Sequence, residues 1–397
     1  MYKRQKPDSA IGGGLGISDS GVIAKTNKAV SILSESIQTA LNTIQQGQTD
    51  TVPLVTALQF DIFGFSRGAA AARHFANRIQ SGDPLIINAV RQGMTGIAYK
   101  GAPAGKTRFI GIFDTVAAIG TPVNGLNPHS ANSGEIILTL RPGVADKVFH
   151  ITAAHECRFN FALNSVKPAW PELALPGVHA DIGGGYLPVM VENLFLTRPN
   201  TQTVPLSQPD NETRLYKQVY AQLSQLNTFP ALAPLLRNHR VSAETWFDDR
   251  MPEDRYGQMQ KRSYAALTLR ERIVRNDWAR IALRVMLEAA QSAGALFNEI
   301  QEDQDFALPS DLIPLCEKAL AMGKAVRAWQ IPPTFTEEEL AILAGKYIHC
   351  SANWNVIVAN GGGAIQGGAS PAELISFVNR PDEQWKRTVY TMDGKKV

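Results

Sequence analysis

Apolar residues at Val30, Leu33, Ile37, Leu41 and Ile44 recur at spacings of three and four. That spacing is one face of an amphipathic helix of roughly 20 residues, and Gly47 with the polar residues behind it ends the helix. The period then changes. Ala57 to Phe63 is a short, mostly apolar run that stops at Gly64, and Ala69 to Ile79 reads as a helix, so this stretch predicts strand, tight turn, helix. Three more short apolar runs follow: Phe109 to Phe113 ending at Asp114, Lys147 to Ala153 ending near His155, and Leu173 to Val178 delivering His179. Strands alternating with helical or loop segments predict an α/β fold, with a mostly parallel sheet and helices on both faces. In such sheets functional groups gather beyond the carboxyl ends of the strands, and Ser66, Asp114 and His179 each lie just past one.

Beyond about residue 190 the pattern differs. Thr197 to Asn211 is polar and punctuated by proline, which predicts a long loop. Leu215 to Leu226, Leu267 to Ala293 and Leu312 to Arg327 read as helices, with Trp246, Phe247 and Tyr256 in a connection between them. The expected organisation is a core over 1–190, a mostly helical cap or insertion over 191–345, and a loop-rich tail over 346–397 that returns to the core. Glycines cluster at 361–363 and 367–368 in that tail.

Composition narrows the classes. The chain has 397 residues, 44% hydrophobic and 19% charged, which is ordinary for a globular protein. A net charge of +3 from 39 basic and 36 acidic residues gives no reason to expect nucleic acid as a partner. Cys157, Cys316 and Cys350 are odd in number and widely spaced, so they predict buried free thiols and neither a zinc site nor a disulfide framework. Gly12, Gly13, Gly14 and Gly16 fail the dinucleotide pattern because Ile17 stands at its last glycine. No cofactor and no metal are expected. No run of about 18 apolar residues predicts a membrane-spanning helix. Met1 to Ala10 is basic without an apolar stretch behind it, so it is not read as a secretory signal, and a protein of this sequence that leaves the cell is expected to use a route without a cleaved leader.

The chemistry sits in Gly64-Phe65-Ser66-Arg67-Gly68, a G-x-S-x-G pattern between a predicted strand and a predicted helix. Small residues at Gly64 and Gly68 are expected because so sharp a turn crowds its own backbone. The turn presents the serine hydroxyl, and the Arg67 amide at the start of the helix points at a developing oxyanion. A serine hydroxyl needs a base, and the base needs an orienting acid. In sheets of this type the order is Ser, Asp or Glu, then His. His179, in a glycine-flanked loop after a strand, is the expected base, and His155 is its rival. His155 stands beside Glu156 and Arg158, which read as an ion pair, and His74 lies inside the elbow helix. His129, His150, His239 and His349 have no comparable surroundings in the sequence. Asp114 is the expected acid, and Asp181 caps the glycine turn or braces the histidine loop. Helix N-capping is the plain structural alternative for both Ser66 and Asp114.

Three separated stretches now resemble a known family. Phe63-Gly64-Phe65-Ser66-Arg67-Gly68-Ala69-Ala70, Phe113-Asp114-Thr115-Val116 and Gly177-Val178-His179-Ala180-Asp181-Ile182-Gly183-Gly184-Gly185-Tyr186 resemble the phospholipase effectors of type VI secretion, first Tle family. The match covers roughly residues 55 to 190, with weaker likeness at Tyr347 to Trp354 and Asn379-Arg380-Pro381. The resemblance implies an α/β-hydrolase catalytic domain, Ser66 as nucleophile, Asp114 as acid and His179 as base. It implies a phospholipase A type activity releasing fatty acid from glycerophospholipids, with the membrane surface of a rival bacterium as substrate, reached from the periplasm. It also implies a secretion spike protein as carrier and an immunity protein as inhibitor. Members usually begin with a strand leading into an Asp-Gly-Thr type loop that helps build the oxyanion hole. That strand is not found here, so a chain lacking its first strand is expected. Two other readings stand beside this one: a hydrolase-like binding module without catalysis, and a general carboxylesterase. A lipid-facing cap carrying Trp246 and Phe247 competes with ordinary core packing of those rings.

Overall fold

Ile110 and Ile112 point to one side of their strand, where they pack on Ala69, Ala72 and Ala76. Phe109 points to the other, among Trp278, Ile281 and Met286. That alternation is the period of two of a pleated strand, and burial on both sides requires cover on both faces. The strands are β1 (Gln59–Phe65), β2 (Lys106–Phe113), β3 (Lys147–Ala153) and β4 (Glu172–Leu175), hydrogen-bonded in that order and all parallel. The computed structural model describes residues 21–46, 54–117, 135–237, 239–300, 305–354, 358–359, 365–366 and 379–397. The glycine clusters at 12–16, 361–363 and 367–368 lie outside them, as does His129.

The first helix, α1, spans Val22–Gln46 and buries Val30, Ile37 and Leu41, three of the five positions its periodicity singled out. Helix α2 (Arg67–Gln80) follows β1 and lies against β1 and β2. Helix α3 (Pro84–Gly93) begins behind Asp83, whose carboxylate accepts from the Leu85 amide. On the opposite face sit α6 (Trp278–Ser292) and α7 (Ile313–Arg327). Gly111 lets α6 approach, since a Cβ there would lie 2.7 Å from the Met286 sulfur. Between these come α4 (His179–Gly183), directly after β4, and α5 (Arg214–Ala221); α8 (Glu337–Lys346) follows α7.

The middle region corrects its sequence reading. Instead of mostly helices it carries a four-stranded antiparallel sheet as well: β5 (Val189–Phe195), β6 (Asn200–Pro205), β7 (Val241–Asp248) and β8 (Gln260–Arg275). The expected helix over Leu267 to Ala293 is the end of β8 followed by α6. Ala265 to Leu269 are buried without alternation, and such a run has no period that separates a covered strand from a helix. The expected loop over Thr197 to Asn211 contains β6, whose residues are mostly exposed, so no apolar alternation marks it. Trp246 and Phe247 belong to β7. Trp246 stacks on Tyr264 at 5.4 Å and packs on Phe195 at 5.3 Å, whereas Phe247 is exposed under the Lys261 ammonium.

One apolar core runs through Phe149, Ile151 and Leu173 of the parallel sheet and Leu194, Leu267 and Leu269 of the antiparallel one. The tail pairs Val389–Tyr390 in parallel with Leu163–Asn164. No described helix is long and apolar enough to cross a membrane.

Candidate active site

Strand β1 ends at Phe65 and α2 begins at Arg67, so Ser66 alone turns the chain. It does so at φ 57° and ψ −124°, a conformation that costs a non-glycine residue about 1–3 kcal/mol. Its hydroxyl makes no N-cap hydrogen bond, which removes helix capping as the reason for a serine here. The turn is pinned by its backbone: Ser66 N donates to Phe113 O at 3.0 Å, and Ser66 O accepts from Ala69 N and Ala70 N. Gly64 is required, because a Cβ there would lie 2.3 Å from the Gly68 carbonyl oxygen. The steric expectation for Gly68 is corrected: a Cβ there meets nothing within 4 Å, because it points away from the crowded side of the turn. Arg67 is the first residue of α2, so its amide lies at the positive end of the helix.

Asp114 follows β2 at φ 43°, where its amide donates to Ile151 O at 2.7 Å. No helix starts there, and the side chain does not cap one. Oδ1 accepts from Ala153 N at 2.9 Å and from Arg387 Nη1 at 2.7 Å. Oδ2 accepts from Arg387 Nη2 at 2.8 Å and pairs with His179 Nδ1 at 2.6 Å. Burial alone pushes this carboxyl up, but the Arg387 charge and the His179 hydrogen bond outweigh it and hold it well below the usual carboxylate range. An ionised carboxylate only accepts, so His179 Nδ1 carries the proton and Nε2 is the nitrogen left to act as a base.

His179 is the first residue of α4. Its amide donates to Glu156 Oε2 at 3.1 Å, and the Val178 amide donates to Asp181 Oδ2 at 2.9 Å. Asp181 therefore caps the turn and braces the loop at once. The imidazole lies 4.4 Å from the Phe65 ring and 4.9 Å from the Phe161 ring, centroid to centroid. That sets it against the residue preceding Ser66. Gly183 makes room, since a Cβ there would lie 2.2 Å from the Phe65 ring. Burial lowers the imidazole pKa from its ordinary value, outweighing the opposing pull of Asp114.

The structure brings Ser66, Asp114 and His179 to one end of the parallel sheet and sets His155 aside. His155 Nδ1 accepts from Gly177 N at 3.0 Å, and burial pushes its pKa down to about 4. Glu156 and Arg158 form the expected ion pair, at 3.0 Å. Two histidines with no distinguishing sequence surroundings prove to be carboxylate-paired. His150 Nδ1 donates to Glu172 at 2.9 Å while its Nε2 accepts from Thr115 N at 3.0 Å. His349 Nδ1 pairs with Asp181 Oδ1 at 2.6 Å, and its ring stacks on Tyr186 at 3.6 Å. Arg387 and Phe161 escaped sequence reasoning because no local motif marks them, and His349, within the weaker likeness at Tyr347 to Trp354, draws no role from it. Cys157, Cys316 and Cys350 are buried free thiols. Among the described residues no group of three or more His, Cys, Asp or Glu is placed to hold a metal ion.

These features define a mixed α/β protein with a strained serine turn, a buried histidine and a buried aspartate at the carboxyl ends of a parallel sheet. Residues 88–198 match the family model for the T6SS phospholipase effector Tle1-like catalytic domain. That segment contains Asp114 and His179. A solved structure of the Tle1 effector bound to the VgrG spike from the Type 6 secretion system matches at a TM-score of 0.80 with 41% identity, covering 95% of this chain and 76% of that one. The chain belongs to the Tle1-like phospholipase effectors of type VI secretion. A crystal structure of an uncharacterized protein from Pseudomonas aeruginosa is 20% identical over 82% of this chain and 35% of its own, with a TM-score of 0.31 too low to bear on the fold. No curated protein sequence matches this one.

Proposed function

We propose that this chain is a serine esterase with an α/β-hydrolase core, cleaving acyl esters of glycerophospholipids as a phospholipase A type enzyme. The observation that carries the reading is a strained, uncapped Ser66 next to Phe65, whose ring lies 4.4 Å from that of His179, a histidine whose Nδ1 lies 2.6 Å from a buried aspartate. Ser66 Oγ attacks the ester carbonyl as His179 Nε2 takes its proton. The Arg67 amide receives the oxyanion, aided by the positive end of α2. Asp114 holds the imidazole in the required tautomer and stabilises its charged form. His179 then gives its proton to the leaving alcohol, and water activated by His179 clears the acyl-enzyme. The nucleophile, base, acid and oxyanion donor of this cycle are all residues of the chain. Asp181, Gly64 and Gly68 are supporting positions, and Gly64 has the clearest steric reason.

Residues 1–190 hold the three reacting groups, and the region 191–345 is assigned to cover and support them, with the 346–397 tail closing the site. By its likeness to an effector bound to a spike, the chain is carried by a spike protein; the family resemblance read from the sequence further implies action at the membrane of a target cell from the periplasm and control by an immunity protein. The test is fatty-acid release from phospholipid vesicles by the wild-type chain and by Ser66→Ala. A loss of order 10⁴–10⁶ in turnover is expected. Release that survives the substitution refutes the nucleophile. Absence of release from folded wild-type protein favours a binding module, and hydrolysis of soluble short-chain esters but not vesicles favours a general carboxylesterase.

A further inference from the structure

The tail approaches the site as an ordered strand. Leu163 N donates to Thr388 O and Ser165 N to Tyr390 O, both at 2.9 Å, so the position of Arg387 is fixed by backbone pairing on its C-terminal side. Its Nε donates to Phe161 O at 2.7 Å. Its two terminal nitrogens then meet the two oxygens of Asp114 at 2.7 and 2.8 Å. This is a two-pronged fork on a carboxylate that is completely buried, with the arginine side chain only 7% exposed. Such forks fix the plane of a carboxylate as well as binding its charge.

We infer that Arg387 is a positioning residue for the reaction proposed above, orienting Asp114 toward His179 and sharing its negative charge so that His179 remains a neutral base at lower pH. The inference rests on the triad reading. A carboxylate beside an imidazole ordinarily raises the imidazole pKa. The charged groups acting on His179 are Asp114 at Nδ1, Glu156 at its amide and Arg158 nearby, with Arg387 behind Asp114. Asp114 and Glu156 carry negative charge toward the ring and Arg158 positive charge, Arg387 offsets Asp114 from behind, and the Phe65 and Phe161 rings add no charge. Removing Arg387 leaves the Asp114 charge less offset, so His179 takes up a proton more readily. The opposite reading, that Arg387 only ties the tail down, predicts no change in His179 titration.

The experiment uses the full chain. The pH dependence of kcat/KM on a soluble ester is compared for wild type, Arg387→Gln, Arg387→Lys and Arg387→Ala. Arg387→Gln should move the acid limb upward by about 1 pH unit, whereas Arg387→Lys, which keeps the charge and loses the fork, should hold the limb and lower the plateau. Arg387 borders a cavity of about 750 Å³ with Ala154, Phe229 and Trp385, so free guanidinium can reach the space vacated in Arg387→Ala and should return its limb toward wild type. A lowered plateau with an unmoved limb in Gln and Ala variants overturns the inference. If those two do not fold, Arg387→Lys decides, and an unchanged plateau overturns it. NMR titration of the His179 imidazole in Ser66→Ala, with and without Arg387→Gln, separates the two readings. An upward shift supports the Arg387 role and no shift refutes it, whereas failure of the triad shows as activity that survives Ser66→Ala.

Discussion

Gly64→Ala tests the elbow at its tightest point. The added Cβ would lie 2.3 Å from the Gly68 oxygen, 2.5 Å from the Gly68 carbonyl carbon and 2.7 Å from Ala69 Cα. All three are backbone atoms, in a helical turn held by the Ala69 and Ala70 amides on Ser66 O, so no side chain can swing aside. A carbon and a carbonyl oxygen settle no closer than about 3.3 Å, so β1 and α2 must part by roughly 1 Å. Overpacking of this kind costs about 1–3 kcal/mol, and moving a nucleophile by that distance costs of order 10²-fold in rate. Gly68→Ala is the control. Its Cβ meets nothing within 4 Å, and alanine within a helix gains about 0.5–1 kcal/mol over glycine. Thermal melts and kcat/KM on a soluble ester should show Gly64→Ala less stable and far slower, with Gly68→Ala at least as stable as wild type and close to it in rate. Equal behaviour of the two variants, in either direction, would refute the account of the turn.

Two further outcomes follow from the buried groups. Because burial lowers the His179 pKa, the base is already neutral at pH 7, and kcat/KM should rise with pH through a midpoint below the ordinary 6.5; a midpoint above it contradicts the burial argument. His155 contributes to stability in the same sense. With its folded pKa near 4, the unfolded chain takes the proton first, so stability is full above about 6.5 and falls as pH drops toward 4. Denaturant midpoints measured across that window should decline in wild type and decline less in His155→Ala. Asp181→Ala removes the acceptor for the Val178 amide, the His349 amide and His349 Nδ1, all buried. Breaking such a pair costs about 3–5 kcal/mol, and a measured loss below about 1 kcal/mol would show that Asp181 braces nothing.

The four parallel strands and the residues at their ends were legible because each is written locally. An apolar run ending in glycine or aspartate carries both the strand and the group it presents. Lys147–Ala153 has the bounds its sequence predicts, and β1 and β4 differ from theirs by one to three residues. The middle region was less legible because Ala265 to Leu269 at the centre of β8 are buried on both faces and β6 is mostly exposed, so neither stretch shows the alternation that marks a strand. Arg387 could not be read at all. It lies 273 residues from Asp114, in a stretch without a motif, and only the pairing of the tail with Leu163–Asn164 brings it there. Gly68 shows the opposite error: a motif glycine that the fold of this chain does not sterically require.

The site also contains more imidazole–carboxylate pairs than one reaction needs, and their differences explain the arrangement. His150 uses both ring nitrogens, on Glu172 and on the Thr115 amide, so it fastens the residue next to Asp114 from behind. His349 is fully buried, spends Nδ1 on Asp181 and has no described partner for Nε2, so it fastens the helix that begins with His179. Only His179 has its ring at the serine turn, against Phe65. Burying charged and polar groups in this number costs desolvation energy that apolar packing would avoid. What they gain is position. Hydrogen bonds to fixed backbone amides hold a side chain to one rotamer more tightly than dispersion contacts do, and a nucleophile, base and acid drawn from three separate loops need that precision. In the proposed reaction the other two pairs thus serve as scaffold for the His179–Asp114 pair, since the segments after β2 and β4 are held by hydrogen bonds to His150 and His349.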